Sequence, residues 1–376
     1  MVKTNFKIII TKYLNNDASA SEMDILAKWL ENDDNHEVFK DYVTIHHVLN
    51  SDKIFDGISA YNKTLKVKSL YKRPFFKYAV AASIMLFISL TLFLTKQDVQ
   101  NNELKIVNSN IEIGTDKAIL TLADGSEVAL EQNQQYTSNH IESHGKDIIY
   151  KSNSPATLKT TYNYLTIPRG GQFFVQLADG TKVWLNSESK LKYPVQFVEN
   201  QAREVTLLYG EAYFDVSPSA NHNGTAFNVL TRNQEVNVLG TEFNIKAYRE
   251  DDFVATTLIE GKVTIKKGDF KTLLKPEQQS IVKKDNQNII VNNVDISSES
   301  AWKNGFFNFN KTSLSIMLKT LSRWYDLEVV FVDDSKKNLI FSGVLKRTSN
   351  VEELLTYIEK TRRVVFEVKN NTVYVK

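Results

Sequence analysis

Three histidines, two aspartates in matching turns and one glutamate among apolar neighbours are the side chains best placed to do chemistry. His36, His46 and His47 lie close enough in sequence to suggest a metal site. Without cysteine, and with no HExxH or carboxylate cluster at ligand spacing, solvated or packed histidines are expected. Asp124 and Asp179 sit in similar stretches, LADGSEVAL at 122–130 and LADGTKVWL at 177–185. Either carboxylate could ligate calcium or act as an acid. Asp-Gly between alternating apolar residues is, however, fully explained as a hairpin turn, with Gly taking positive φ and Asp capping. Glu211, inside YGEAYF, reads as a buried carboxylate held by hydrogen bonds. No Ser/His/Asp order and no catalytic carboxylate pair can be argued from spacing. The absence of cysteine excludes disulfides, a thiol nucleophile and Cys-ligated zinc or iron–sulfur sites. Neither a metal nor a cofactor is expected.

The elements that would carry these residues are legible from hydropathy. Lys and Arg number 46 against 44 Asp and Glu, a net +2, which excludes the strongly basic surface of a dedicated nucleic-acid binder. The 376 residues suit two or three globular domains. Residues 78–95, YAVAASIMLFISLTLFLT, carry no charge. As a helix they would span roughly 27 Å, close to the hydrocarbon thickness of a bilayer. With Phe75 and Phe76 the predicted transmembrane helix covers 75–95. Lys63, Lys66, Lys68, Lys72, Arg73 and Lys77 precede it, so the N-terminus is expected in the cytoplasm and 96–376 across the membrane.

Residues 1–74 predict a small helical module. Ser19-Ala20-Ser21-Glu22 is a capping box, followed by an apolar face of Ile25, Leu26, Trp29 and Leu30. Asn35 opens a further helical pattern. So few large apolar residues make a marginal core, and a partner receiving that face would complete it. Residues 96–295 switch to two-residue alternation with frequent turns, predicting an all-β domain, sandwich or solenoid-like. Residues 296–376 read strand, helix, two strands, helix, two strands, a split βαβ layout. The expected class is multidomain α+β: helical module, one transmembrane helix, all-β domain and C-terminal split βαβ domain.

Four motifs then occur in order: LADGTKVWLNSESKLKYPVQF at 177–197, REVTLLYGEAYFDV at 203–216, VNVLGTEFNIKAY at 236–248 and TLIEGKV at 257–263. Together they resemble the periplasmic domain of the FecR family of transmembrane regulators. WKNGFFNF at 302–309, LSRWYDLEVVF at 321–331 and FSGVLKR at 341–347 resemble the C-terminal domain of Bacteroidota FecR-type proteins, which is similar to the short secretin/TonB N-terminal fold. One departure is Pro276-Glu277, where the family usually has proline-glycine, so a turn there is expected to differ.

The resemblance implies a single-pass anti-sigma factor of the bacterial inner membrane, N-terminus cytoplasmic and C-terminus periplasmic. Residues 1–74 would hold an extracytoplasmic-function sigma factor, with Ile25, Leu26, Trp29 and Leu30 as candidate contacts. The periplasmic part would meet the signalling domain of a TonB-dependent outer-membrane transporter, controlling transcription of uptake genes. Periplasmic and intramembrane proteases are further implied partners. The motif residues carried over are Asp179, Gly180, Trp184, Leu185, Asn186, Gly210, Glu211, Gly240, Thr241, Phe243 and Gly261. Each also has a structural reading: Trp184 and Leu185 as core strand positions, and Gly210, Gly240 and Gly261 where strands end or kink. Some relatives cut themselves at a Gly-Thr bond, which makes Gly240-Thr241 a candidate for single-turnover self-cleavage by attack of the Thr241 hydroxyl. The plainer reading is a Gly bulge before a strand Thr. Rival functions are a membrane-tethered periplasmic glycan-processing enzyme, which would need two carboxylates about 5–10 Å apart, and a structural envelope protein.

Overall fold

The computed structural model describes residues 105–107, 111–132, 134–138, 141–150, 160–285 and 288–376, together with 6, 9, 10, 12, 19–29 and 35. Alternate burial along strands such as Gly171–Gln176 and Ser189–Pro194 gives each one apolar face, and one 18-stranded sheet gathers these faces around a core.

The pairings sort that sheet into two layers. One runs, edge to edge, through Glu127–Glu131, Thr115–Thr121, Tyr162–Ile167, Ser189–Pro194, Arg203–Asp215, Phe227–Leu230, Glu235–Val238, Val263–Lys267 and Phe270–Leu274. The other starts at Tyr136–Thr137, Ile141–Ser143 and Asp147–Tyr150, which pairs with Gly171–Gln176. It continues through Lys182–Leu185, Arg203–Asp215 again, Glu242–Ala247, Phe253–Glu260, Gln278–Lys283 and Ile289–Asn293. Leu165, Leu191 and Val205 from the first layer share one buried cluster with Val175, Phe214 and Ile245 from the second.

Arg203–Asp215 belongs to both layers and changes sheet at Gly210. There φ is +97°, and a Cβ would stand 2.3 Å from Ser189 Cα. Only glycine fits. The two Asp-Gly hairpins form as read: the Asp124 carboxylate accepts from Ser126, and that of Asp179 from Thr181, each from backbone N–H and hydroxyl. At Pro276-Glu277 the turn keeps a glycine-like geometry, because Glu277 itself takes φ +69° and Gln278 N–H donates to Lys275 O at 3.0 Å.

The C-terminal elements come in the expected order, Phe306–Ser313, Leu314–Tyr325, Glu328–Phe331, Ile340–Lys346, Val351–Glu359, Phe366–Lys369 and Thr372–Val375. Ser313 and Asn350 cap the two helices through Ile316 N–H and Glu353 N–H. Their strands do not form one split βαβ sheet. Among the described residues Phe306–Ser313 pairs only with Ile340–Lys346, and its register breaks between Phe309 and Thr312, where Lys311 takes φ +49°. The other strands form a four-stranded sheet completed at one edge by Lys105–Val107, parallel to Phe366–Lys369.

The expected α+β class is overturned more broadly. Strands hold 48% of the described residues and helices 19%. Among the described residues no helix is long and apolar enough to cross a membrane, and the predicted span 75–95 lies outside them. Of the predicted helical module, the described residues contain the helix Ala20–Trp29 and isolated helical positions. The physical reason is that period-two alternation governs the long tract from Thr115 to Asn293, which outweighs the short helical stretch at the N-terminus.

Candidate functional site

The buried polar residues of the family-type motifs converge where the C-terminal unit packs on the sandwich. Gly210 turns the strand so that Glu211, only 4% exposed, faces this junction. Its carboxylate accepts from Asn186 Nδ2 at 2.8 Å, Asn244 Nδ2 at 2.9 Å and Tyr248 OH at 3.4 Å. Lys246 Nζ lies 3.8 Å away and pairs with Glu299 at 2.7 Å. From the C-terminal unit, Arg347 Nη2 donates to Asn186 Oδ1 at 3.0 Å, so one amide bridges the Arg347 and Glu211 charges. Arg347 also stacks on Trp324, its Cζ 3.6 Å from the ring centroid. Burial pushes its guanidinium down to about 10, with Tyr248 and Glu211 acting the other way, and it stays charged at neutral pH. Trp302 Nε1 reaches Asn244 Oδ1 at 3.4 Å.

Around this buried centre the junction is ionic. Arg169, in the turn before Gly171–Gln176, donates to the Ser322 and Leu327 carbonyls and to Asp326, closing the C-terminal end of Leu314–Tyr325. Arg323 pairs with Glu250, and Lys319 with Asp251 at 2.8 Å. Lys303 Nζ lies 4.0 Å from the rings of both Trp184 and Tyr213. Trp184 is therefore an outer-face residue covered by the C-terminal unit, while Leu185 and Phe243 are in the sandwich core. A cleft of about 480 Å³ remains between the two units, walled by Phe253, Ile281 and Phe309. The ion pairs Arg169–Asp326, Lys319–Asp251 and Arg323–Glu250 cross the junction and hold the two units in one orientation.

Asp179 has a second partner beyond its turn. Arg203 Nη1 donates to Asp179 Oδ2 at 2.8 Å, and the two side chains are 2% and 3% exposed. Arg203 also donates to the carbonyls of Ser217 and Thr225. It thereby ties the turn around Gly180 to the 217–225 segment.

Gly240 and Thr241 lie beside that segment. Gly240 has φ +151°, and a Cβ there would meet Pro218 Cα at 3.0 Å. Gly261 passes against the same peptide, where its Cβ would stand 2.9 Å from Thr241 Oγ1. Thr241 is 5% exposed and its hydroxyl donates to the Lys262 carbonyl at 3.0 Å. Attack on the Gly240 carbonyl would require that bond to be given up and a base to be supplied. A chain tagged at both ends is expected to stay full length on an immunoblot of its native host's cells. Fragments present in wild type and Thr241→Ser but lost in Thr241→Ala would instead identify this as a cleaved bond.

At the N-terminus the capping box forms: Ser19 N–H donates to Glu22, and Glu22 N–H to Ser19 Oγ. Leu26 is buried with Ile9 and Ile10, and Trp29 stacks on Phe6 at 4.9 Å. Ile25 is 37% exposed. Leu30, His36, His46 and His47 lie outside the described residues. Among the described residues no group of His, Asp and Glu is arranged to hold a metal ion.

Sequence reasoning missed Arg203, Asn244 and Arg347. The available signal was an arginine or asparagine at an inward position of an otherwise apolar alternation, which asks for a buried partner.

Comparison with known families matches a FecR protein domain to residues 163–264 and a FecR C-terminal domain to residues 306–375. The first contains Asp179, Asn186, Arg203 and Glu211, and the second Arg323 and Arg347. A crystal structure of a candidate anti-sigma factor from Parabacteroides distasonis ATCC 8503 is 30% identical, with a TM-score of 0.51. That match covers 57% of this chain and 98% of the other. A second such structure from the same organism is 29% identical, with the same coverage and TM-score. Curated proteins give no match.

Proposed function

On the premise that the chain belongs to the FecR family, we propose that it is an anti-sigma regulator whose two ends contact different proteins. One observation carries this reading: FecR and FecR C-terminal domains in tandem, matched over nearly the whole length of a solved candidate anti-sigma factor. Residues 1–74 hold an extracytoplasmic-function sigma factor. Residues 96–376 are periplasmic, at the inner membrane, and receive the signalling domain of a TonB-dependent transporter. Uptake genes are the regulated output, and envelope proteases are the means of release. No turnover chemistry is needed at either end.

The junction supports such a relay physically. A partner that grips the C-terminal unit cannot shift it without breaking or carrying the Arg347–Asn186–Glu211 link, so the sandwich senses the load. Strand addition is the simplest grip, because Glu328–Phe331 is an edge strand whose Val330 is 42% exposed.

Affinity capture of the full chain from its native host, with mass spectrometry of bound proteins, tests the reading. A sigma factor is expected in the eluate, and its absence sinks the proposal. The packing also divides the candidate contacts. Ile25→Asp is expected to weaken sigma binding by about 2 kcal/mol with helicity retained. Trp29→Ala should instead lower helicity by circular dichroism, because Trp29 packs on Phe6 within the small N-terminal core.

A further inference from the structure

Three loops converge at one end of the sandwich and enclose a cleft of about 630 Å³, within the usual size range of small-molecule sites. The turn 176–180 forms one wall, the loop 196–200 a second and the segment 221–225 a third. The buried charge in this cleft is already balanced, since Arg203 is paired with Asp179. What remains charged or titratable is Glu199, exposed at the rim, His222, whose Nε2 lies 2.8 Å from Ser217 Oγ, and the Tyr150 hydroxyl, which burial keeps protonated beside Tyr193 and Asn163. An anion or a cation would find no free counter-charge inside.

Apart from the Thr225 hydroxyl, which donates to the His222 carbonyl, the other polar side chains are amides. Asn223 Nδ2 donates to Asn200 Oδ1 at 3.2 Å, which joins two of the loops across the rim. Gln196 Nε2 is buried with no partner, and among the described residues the side chains of Gln176 and Asn221 make no hydrogen bond. A buried amide N–H without an acceptor lowers stability, so its retention points to an occupant that supplies one. An amide presents a donor and an acceptor side by side, which matches adjacent hydroxyl groups. Phe197, only partly buried, adds apolar surface that suits the C–H face of a sugar ring.

We propose that this cleft binds a neutral polyhydroxylated ligand of the saccharide class, with Gln196 at its base and Asn221 at its rim. Asp179 and Arg203 position the walls. The inference stands on the cleft and not on the sigma-factor reading, and its test needs no sigma factor.

The purified full chain, free of glycosidic detergents, is titrated by calorimetry and saturation-transfer NMR with maltoheptaose, cellotetraose and chitotetraose, and with oligogalacturonate as the anionic control. Saturable binding of at least one neutral oligosaccharide is expected, weakened about tenfold or more by Gln196→Leu and by Asn221→Ala. The ligand-free Gln196→Leu chain should also melt above the parent, because it removes a buried amide that lacks its partner. That combination separates a binding residue from a structural one. The proposal is overturned by no binding of the neutral probes up to about 10 mM, by binding unchanged in both variants, by preference for the anionic probe, or by a lower melting temperature for Gln196→Leu.

Discussion

Arg203→Ala is expected to destabilise the sandwich by about 3–5 kcal/mol, read from the urea midpoint of tryptophan fluorescence. The guanidinium and the Asp179 carboxylate are 2% and 3% exposed, so neither is screened by solvent. Truncation leaves the carboxylate with only the Thr181 N–H and hydroxyl, and it strips a donor from the carbonyls of Ser217 and Thr225. The cost is that of an uncompensated buried charge, not the net worth of the pair. Replacing both partners, Asp179→Asn with Arg203→Met, should therefore cost less than Arg203→Ala alone. A loss below about 1 kcal/mol in Arg203→Ala would mean that the pair is solvated like a surface bridge.

Gly210→Ala is expected to cost about 3 kcal/mol or more and to loosen the C-terminal unit. Positive φ costs an alanine about 1–2 kcal/mol, and overpacking adds about 1–3 kcal/mol. Here the added methyl meets backbone, Ser189 Cα at 2.3 Å, which has no rotamer to escape through. The strand must shift, and Glu211 shifts with it, away from Asn186, Asn244 and Tyr248. Limited proteolysis should then cut between the sandwich and the C-terminal unit at protease levels that leave the parent intact. Gly125→Ala is the control. It has φ +88° but nothing within 4 Å of its Cβ, so it should show the conformational cost alone, about 1–2 kcal/mol. Equal effects of the two substitutions would remove the packing argument.

Much of the candidate site was visible in the sequence as residue types without partners. Glu211 reads as a hydrogen-bonded buried carboxylate because apolar neighbours leave it no solvent, and it is one. Asp179 reads as a turn residue, which it is, but the local explanation hid its pairing with Arg203. Trp184 reads as core from its apolar flanks, yet it lies on the outer face under Lys303. The strand alternation marks two faces without saying which is covered by the sheet partner and which by a later unit. Pro276-Glu277 departs from the family's proline-glycine. Only the backbone shows that Glu277 adopts the left-handed conformation the turn demands.

The sequence by itself determined what depends on near neighbours: the alternation of the strands, the Asp-Gly turns, the Ser19–Glu22 capping box and the order of the C-terminal elements. Those features follow from side-chain period and short-range hydrogen bonds, which a one-dimensional pattern records completely. Tertiary structure decided that Arg203–Asp215 serves two layers, that Phe306–Ser313 leaves the main C-terminal sheet, and that Arg347 reaches Asn186 across 161 positions. Strand order and buried polar partnership are set only when faces far apart in the chain meet. A buried amide or guanidinium is stable solely where packing delivers its acceptor, and no local period encodes which distant strand or helix will bring it.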